Sequence, residues 1–260
     1  MNEILTERSG GILRVQFNRP ERKNAMTAQM YLSLADVLDR AMTDDHVRAI
    51  LWHGGGDCFC AGNDLEDFLK NPPGAGESPQ ARLIRSLMNF DKQIVAAVHG
   101  AAIGGGTTML THCDFVFAGE SSTFQMPFIN LGLVPEFGTT CSVVDRVGYI
   151  RAAELIFLGQ PFDARRALEL GFVTRIVPDQ GLLATATEVA QQLAEKPADA
   201  LRESKRLMKR RLRKEMDEAV KLENEAFAAL LQSSDAAEAI QAFMEKRRPD
   251  FSRSRNVHKP

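Results

Sequence analysis

The chain has 260 residues and a formal net charge of −2, and 44% of its residues are apolar and 25% charged. This composition is typical of a soluble globular protein with one sizeable core, and the near-zero charge argues against nucleic acid or a membrane surface as a partner. The sequence has no apolar run of membrane-spanning length and no secretory pattern at its start, so we expect a cytoplasmic protein. The four cysteines do not follow metal-site spacing, and we expect them to be reduced, with no metal bound.

Predicted strands and helices alternate along the first part of the chain. Residues 26–42 have apolar side chains at helical spacing, and Thr27 is a suitable N-cap. Four short apolar runs predict buried strands: "ILRVQF", "VRAILWH", "KQIVAAV" and "DFVFAG". Buried strands separated by helices predict an α/β fold with a parallel-rich sheet, which we place at residues 1–195.

The second part of the chain is predicted to be mainly helical. From Asp163, "DARRALELG" predicts a helix and "FVTRIVP" a short strand, and long charged helices follow Pro197. We therefore predict a helical C-terminal region at residues 196–260. Proline and glycine dominate residues 69–80, which predicts an irregular and mobile loop.

Two glycine-rich segments each follow a predicted strand. In "GAAIGGG" (100–106), three glycines open a predicted helix, where an approaching ligand could meet free N–H groups; tight packing or a flexible turn would also explain them. The second segment, "GGGDCFCAGNDL" (54–65), could turn an N–H group into the same cavity. It matches neither a dinucleotide fingerprint nor a phosphate-binding loop, so no nucleotide cofactor is indicated.

A lone acid, Glu136, lies in the loop "LGLVPEFGTT" (131–140) among apolar neighbours. An acid in such a loop is either a solvated surface group or a base in an apolar pocket. Burial in the second case would raise its pKa and strengthen it as a base. The residues alone leave both interpretations open.

Taken in order, "FCAGNDL", "GAAIGGG", "MPFINLGLVPEFGTT" and "LELGFVTRIV" resemble the crotonase (enoyl-CoA hydratase/isomerase) superfamily over nearly the whole chain. Within it, the sequence is most similar to the peroxisomal-type Δ3,Δ2-enoyl-CoA isomerases. The resemblance implies a spiral of β-β-α units with a helical trimerisation region, and a homotrimer or dimer of trimers. It also implies an acyl-CoA thioester as substrate, with CoA as part of the substrate and no separate cofactor.

The resemblance also implies the roles of individual residues. The backbone N–H groups of Asn63 and Gly105 would form an oxyanion hole, and Glu136 would be the catalytic base. Ten further residues would bind the substrate or its CoA part: Arg22, Lys23, Ala25, Ala61, Gly62, Asp64, Leu65, Gly104, Phe128 and Leu133. A solvated basic turn at Arg22 and Lys23 and a structural role for Asp64 remain alternatives.

Two substitutions bear on the reaction. The hydratases of the superfamily use two glutamates, and the matching positions here hold Thr108 and Phe128. Since neither side chain titrates near neutral pH, hydration should be slow or absent, whereas one carboxylate can move a double bond by carrying a proton from C2 to C4. The sequence thus predicts a Δ3,Δ2-enoyl-CoA isomerase of β-oxidation. A hydratase or another crotonase-type acyl-CoA reaction, and a non-catalytic acyl-CoA-binding scaffold, remain alternatives.

The strongly basic segment 201–219 has three interpretations. It is a solvated helix face, it attracts CoA phosphates, or it binds RNA. The overall charge and the absence of interleaved aromatic residues argue against RNA.

Overall fold

The computed structural model describes residues 2–70 and 77–252 of the chain. The strands are β1 (Ile4–Ser9), β2 (Ile12–Phe17), β3 (Ala49–Gly54), β4 (Gln93–Val98), β5 (Ala101–Ile103), β6 (Phe115–Gly119), β7 (Thr123–Gln125), β8 (Phe162–Asp163) and β9 (Arg175–Val177). The α-helices are α1 (Ala28–Thr43), α2 (Leu65–Lys70), α3 (Pro79–Asn89), α4 (Gly105–Thr108), α5 (Thr139–Val147), α6 (Tyr149–Leu158), α7 (Ala164–Glu169), α8 (Leu182–Ala194), α9 (Ala198–Lys209), α10 (Arg213–Leu231) and α11 (Ser234–Met244). Short 3-10 helices lie at Pro20–Arg22, Met109–His112, Ile129–Leu131, Asp179–Gly181 and Arg210–Leu212.

The main sheet has the strand order β1-β2-β3-β4-β6-β9. From β2 to β9 all neighbours are parallel, and β1 pairs antiparallel with β2 at one edge. A smaller sheet contains β5, β7 and β8. The parallel arrangement agrees with the continuous apolar runs of the central strands, because such strands are covered on both faces.

Two apolar layers cover the main sheet. In β3, Ile50 and Trp52 belong to the larger core cluster, which also contains side chains from α1 and α3, whereas Leu51 belongs to the cluster under α8. Successive residues of a strand point to opposite faces, so one run of apolar residues supplies both layers.

The predicted strands are present as β2, β3, β4, β6 and β9, and the first predicted helix is α1. Its N-cap prediction is confirmed, because the Thr27 hydroxyl accepts a hydrogen bond from the Met30 N–H at 3.2 Å. The edge strand β1 was not predicted from the sequence, because its charged residues interrupt the apolar pattern of a strand. The strand pairs with β2 through a turn at Gly10 and Gly11, and both glycines have positive φ.

The predicted loop at residues 69–80 is wrong at both ends. Helix α2 continues to Lys70, and α3 begins at Pro79 with the Ser78 hydroxyl capping its first turn. Residues 71–76 lie outside the described part of the chain, so the predicted mobility stays a prediction there.

The C-terminal helices pack onto the α/β core. Helix α10 lies against α5, and its Phe227 is buried in the larger core cluster. The proposed division at residue 195 falls between α8 and α9, and it remains a prediction. Within the described ranges, no helix combines the length and apolar character that crossing a bilayer requires.

Candidate functional site

The glycine-rich segments predicted to face one cavity lie side by side. Isolated parallel bridges join Cys60 to Ala102 and Met26 to Asn63. Gly105 then lies directly against the lone acid, since a methyl side chain there would be 3.1 Å from Glu136 Oε1. The structure therefore brings Asn63, Gly105 and Glu136 together from three distant parts of the chain.

Glu136 is buried, with 4% of its surface exposed. Burial, and secondly the nearby negative charge of Glu223, raise its pKa to about 8, while a hydrogen bond with the Asn63 side chain opposes the rise. Within the described residues, Glu136 Oε1 has no hydrogen-bond partner. Of the two interpretations left open by the sequence, the structure favours the buried acid over the solvated one.

The backbone around Glu136 is held at each peptide unit. Its carbonyl oxygen accepts a hydrogen bond from the Thr139 hydroxyl at 2.5 Å. The Phe137 carbonyl accepts one from His112 Nε2 at 2.9 Å, and burial lowers the pKa of His112 to about 3, so the ring donates as neutral imidazole. Phe137 and Gly138 both have left-handed φ values, +67° and +68°. For a bulky residue such as Phe137 this conformation is unfavourable, so the surrounding contacts must hold the loop.

Tyr31 of α1 is a member of the site that the sequence did not reveal. Its hydroxyl is fully buried and donates to Asn63 Oδ1 at 2.5 Å, which leaves the amide N–H groups of Asn63 as the donors toward Glu136. In the sequence, Tyr31 is at helical spacing from Leu34 and Leu38. This spacing predicts that Tyr31 lies on the buried face of α1, but it does not predict a functional role.

The backbone N–H groups of Asn63 and Gly105 stay predicted as the oxyanion-hole donors. The hydrogen bonds described for the chain use neither the Asn63 N–H nor the Gly105 N–H as donor. The helix predicted after the glycines is only one turn long, because α4 ends at Thr108 and continues as a 3-10 helix. Its dipole is therefore small, and the N–H groups themselves provide the polarity.

The positions of the absent glutamates are neutral. Thr108 is fully buried, and its hydroxyl donates to the Gly104 carbonyl at 3.3 Å. Phe128 and Leu133 are each 4% exposed, and the Phe128 ring tip lies 4.0 Å from where a side chain on Gly104 would begin. This wall of the site is thus apolar and carries no second carboxylate.

Two segments that contain residues predicted to bind CoA, 22–25 and 61–65, lie side by side. Lys23 is exposed and pairs with Asp57 at 2.5 Å, and Arg22 pairs with Glu66 at 3.5 Å. Three hydrogen bonds to backbone carbonyls hold the neighbouring turns: Ala25 O accepts from the Arg19 side chain, Ala61 N donates to Lys23 O, and Gly62 O accepts from Met26 N.

Asp64 has an evident structural function at the start of α2. Its side chain is 9% exposed and pairs with Arg19 at 2.6 Å, and it also accepts a hydrogen bond from the Asp67 N–H at 3.1 Å. Leu65 follows as the first residue of α2. In residues 2–70 and 77–252, no three His, Cys, Asp or Glu side chains are grouped so that they could hold a metal ion.

Comparison with known proteins gives a consistent family. The sequence model described as "Enoyl-CoA hydratase/isomerase" matches residues 7–254. The "1,2-epoxyphenylacetyl-CoA isomerase" of Escherichia coli (strain K12) is 34% identical over 259 residues, which cover 97% of this chain and 99% of that protein. The "Enoyl-CoA delta isomerase 2" of Rattus norvegicus is 32% identical over 250 residues, which cover 94% of this chain and 64% of that protein. Other relatives carry the names of enoyl-CoA hydratases.

Solved structures show the same fold. The crystal structure of an enoyl-CoA hydratase/isomerase from Pseudoalteromonas atlantica T6c superposes with a TM-score of 0.92 at 38% identity, covering 96% of this chain and 100% of that chain.

Proposed function

Since the chain belongs to the enoyl-CoA hydratase/isomerase (crotonase) family and has its fold, we propose that it is a Δ3,Δ2-enoyl-CoA isomerase of fatty-acid β-oxidation. The observation that carries the proposal is the buried Glu136, whose Oε1 has no partner among the described residues. Asn63 and Gly105 lie beside it, and both hydratase glutamate positions are neutral. The similarity to a relative named "Enoyl-CoA delta isomerase 2" supports the choice.

The proposed reaction needs one base and one oxyanion hole. Ionised Glu136 removes a proton from C2 of the 3-enoyl thioester, and the electrons of the C–H bond move into the thioester carbonyl. The N–H groups of Asn63 and Gly105 hold the resulting enolate, and each such donor typically lowers a barrier by about 3 kcal/mol. The neutral Glu136 then returns the same proton to C4, which forms the conjugated 2-enoyl ester and restores the carboxylate.

Burial suits Glu136 to both half-reactions. A pKa near 8 makes the carboxylate a stronger base than an exposed glutamate, and it keeps the conjugate acid available for delivery to C4. Asn63 contributes twice, with its N–H toward the thioester oxygen and its side-chain amide toward Glu136.

The other features of the proposed enzyme follow the family. CoA is part of the substrate and no separate cofactor is proposed. The exposed apolar side chains of α6, Tyr149, Ile150 and Phe157, support a homotrimer or dimer of trimers. A cytoplasmic location remains part of the proposal.

Hydration is the main competing activity, and Thr108 and Phe128 argue against it. Hydration requires a group that activates water and a second group that delivers a proton, and Thr108 and Phe128 can do neither near neutral pH. A non-catalytic acyl-CoA-binding scaffold would have no need of a buried carboxyl beside the donors.

The test is a pair of spectrophotometric assays on the purified protein. We expect trans-3-hexenoyl-CoA to gain the absorbance of the conjugated ester, and trans-2-hexenoyl-CoA to keep it. Glu136→Gln should abolish turnover and keep CoA-ester binding, because it keeps the shape of the side chain and removes the base. Glu225→Gln, an exposed position on α10, is the matched control. Loss of conjugation in the second assay, or normal turnover by Glu136→Gln, would contradict the proposal.

A further inference from the structure

A second buried carboxyl group, Glu223, lies behind the loop that carries Glu136. It belongs to α10 in the C-terminal helical region and is 4% exposed. Its Oε2 accepts a hydrogen bond from the Gly138 N–H at 2.7 Å. Its Oε1 accepts two bonds from Thr140, at 2.7 Å from the N–H and 2.6 Å from the hydroxyl. Glu223 thus binds the start of α5 at two residues, Gly138 and Thr140.

These contacts replace a missing helix cap. The N-cap residue of α5 is Gly138, which has no side chain to accept the free N–H groups of the first turn. A carboxylate from another helix does so instead, and its negative charge is favourable at a helix N-terminus. Gly138 is two residues from Glu136, and the intervening Phe137 is held in the unfavourable left-handed conformation.

Glu223 is also the charged neighbour of Glu136. The other titratable groups facing Glu136 are Tyr31 from α1 and Cys60 from the turn after β3, with His112 bonded to the next peptide unit. Burial raises the pKa of Tyr31 well above 10 and that of Cys60 to about 12, and it lowers that of His112 to about 3. All three are neutral near pH 7, so none offsets the charge of a second carboxylate.

The state of Glu223 follows from its own surroundings. Burial raises the pKa of Glu223, and the hydrogen bonds from Thr140, Gly138 and Thr139 oppose the rise. Cys141 of α5 is a further titratable group near it, and burial raises the pKa of that thiol. Burial has the larger effect on the pKa of Glu223, and the hydrogen-bond donors limit the rise. Wherever Glu223 is ionised, its charge disfavours ionisation of Glu136.

We propose that Glu223 is a positioning residue that fixes the Glu136 loop through the first turn of α5 and sets the basicity of Glu136 through its charge. The inference rests on the proposed function, because Glu136 is the base there. It assigns the C-terminal region an indirect part in the reaction, because Glu223 acts through Glu136.

Two substitutions separate geometry from charge. Glu223→Gln keeps the shape but removes the charge and places an amide N–H2 against an N–H donor. Thr140→Val removes one hydrogen bond and keeps the charge. We expect both to lower kcat by about 10- to 100-fold, because small displacements of a catalytic group have such effects. Only Glu223→Gln should shift the ionisation of Glu136 to lower pH, by about one unit. Glu225→Gln on the same helix should change neither quantity.

The ionisation of Glu136 can be measured without a substrate. Infrared difference spectra across pH follow the protonated carboxyl band that Glu136→Gln removes, and the pH profile of kcat/KM gives the same midpoint from kinetics. If the wild-type protein turns over no 3-enoyl-CoA, the proposed function fails, and the infrared midpoint still tests Glu223. A Glu223→Gln midpoint equal to the wild-type value overturns the inference. Should Glu223→Gln not fold, an unchanged kcat in Thr140→Val overturns it.

Discussion

The ionisation of Glu136 connects catalysis with stability. Its ordinary pKa is 4.5, and its folded value is about 8. A group whose pKa is raised on folding contributes stability that is fully present below the unfolded pKa and is lost as pH rises through the folded one. Each unit of difference corresponds to about 1.4 kcal/mol. The native state is therefore least compatible with the ionised form of Glu136, which is the form that the proposed reaction requires as its base.

Replacing Glu136 by glutamine should consequently stabilise the protein in alkali. Since a glutamine side chain cannot ionise, we expect the melting temperature of Glu136→Gln to exceed that of the wild type increasingly between pH 5 and about pH 9. Thermal unfolding followed by circular dichroism across this range measures the difference. A pH-independent difference would mean that Glu136 ionises as easily in the folded as in the unfolded protein.

The short helix α4 shows how one element serves two requirements. At Gly106, a side chain would lie 2.5 Å from the Cys60 carbonyl oxygen, so tight packing explains that glycine. At Gly105, a side chain would instead face Glu136 and Tyr31 in the site. Tight packing, one of the explanations that the sequence left open, therefore holds for Gly106, whereas the approach of a ligand at Gly105 stays a prediction.

A methyl group at Gly105 should separate folding from activity. Gly105 has no positive φ, and alanine favours helix, so Gly105→Ala should keep the melting temperature within a few degrees. Its methyl group would lie 3.1 Å from both Glu136 Oε1 and the Tyr31 hydroxyl, so kcat/KM should fall about 100-fold. Gly181→Ala, whose methyl group would meet only Val177 at 3.7 Å, is the matched control. Full activity in Gly105→Ala would remove this residue from the site.

The sequence predicted those helices and strands whose apolar residues follow a clear local pattern. Strands β3 and β4 were predictable because each is a continuous apolar run, and α1 because its apolar spacing and Thr27 cap agree. The short strands β5, β7 and β8 have two or three residues each and leave no period to detect.

In the whole molecule, the site depends on contacts between distant segments. Tyr31 and Asn63 are 32 positions apart, and the sequence around either residue does not predict their contact. Glu136 was proposed from a family resemblance, whereas Tyr31 and Glu223 required coordinates because their roles arise only from packing. Helix α10 is bound to the core by Glu223 and by Phe227, whose ring meets Phe68 edge-on at 6.0 Å between centroids.

The α/β region (1–195) and the helical C-terminal region (196–260) should therefore unfold in one transition. Trp52 in β3 is the only tryptophan and reports on the core, whereas far-ultraviolet circular dichroism also reports on the C-terminal helices. We expect both signals to give one coincident denaturant transition. Phe227→Ala should lower the free energy of unfolding by about 3 kcal/mol by both probes. Leu222→Ala, 55% exposed on the same helix, should have little effect. A circular dichroism transition that precedes the fluorescence change would show an independent helical region.

Gly138 and Glu223 are 85 positions apart in the chain, and this separation affects the order in which contacts form during synthesis. Domains generally fold as units, and long-range contacts form late because a long loop must first close. While a ribosome is still making α10, the first turn of α5 lacks the carboxylate acceptor that Glu223 provides, and the Glu136 loop is held only by contacts such as those from Thr139 and His112. A nascent chain can thus assemble most of its parallel sheet before Glu223 is available, so the proposed base would reach its final setting only after the C-terminal helices have been synthesised.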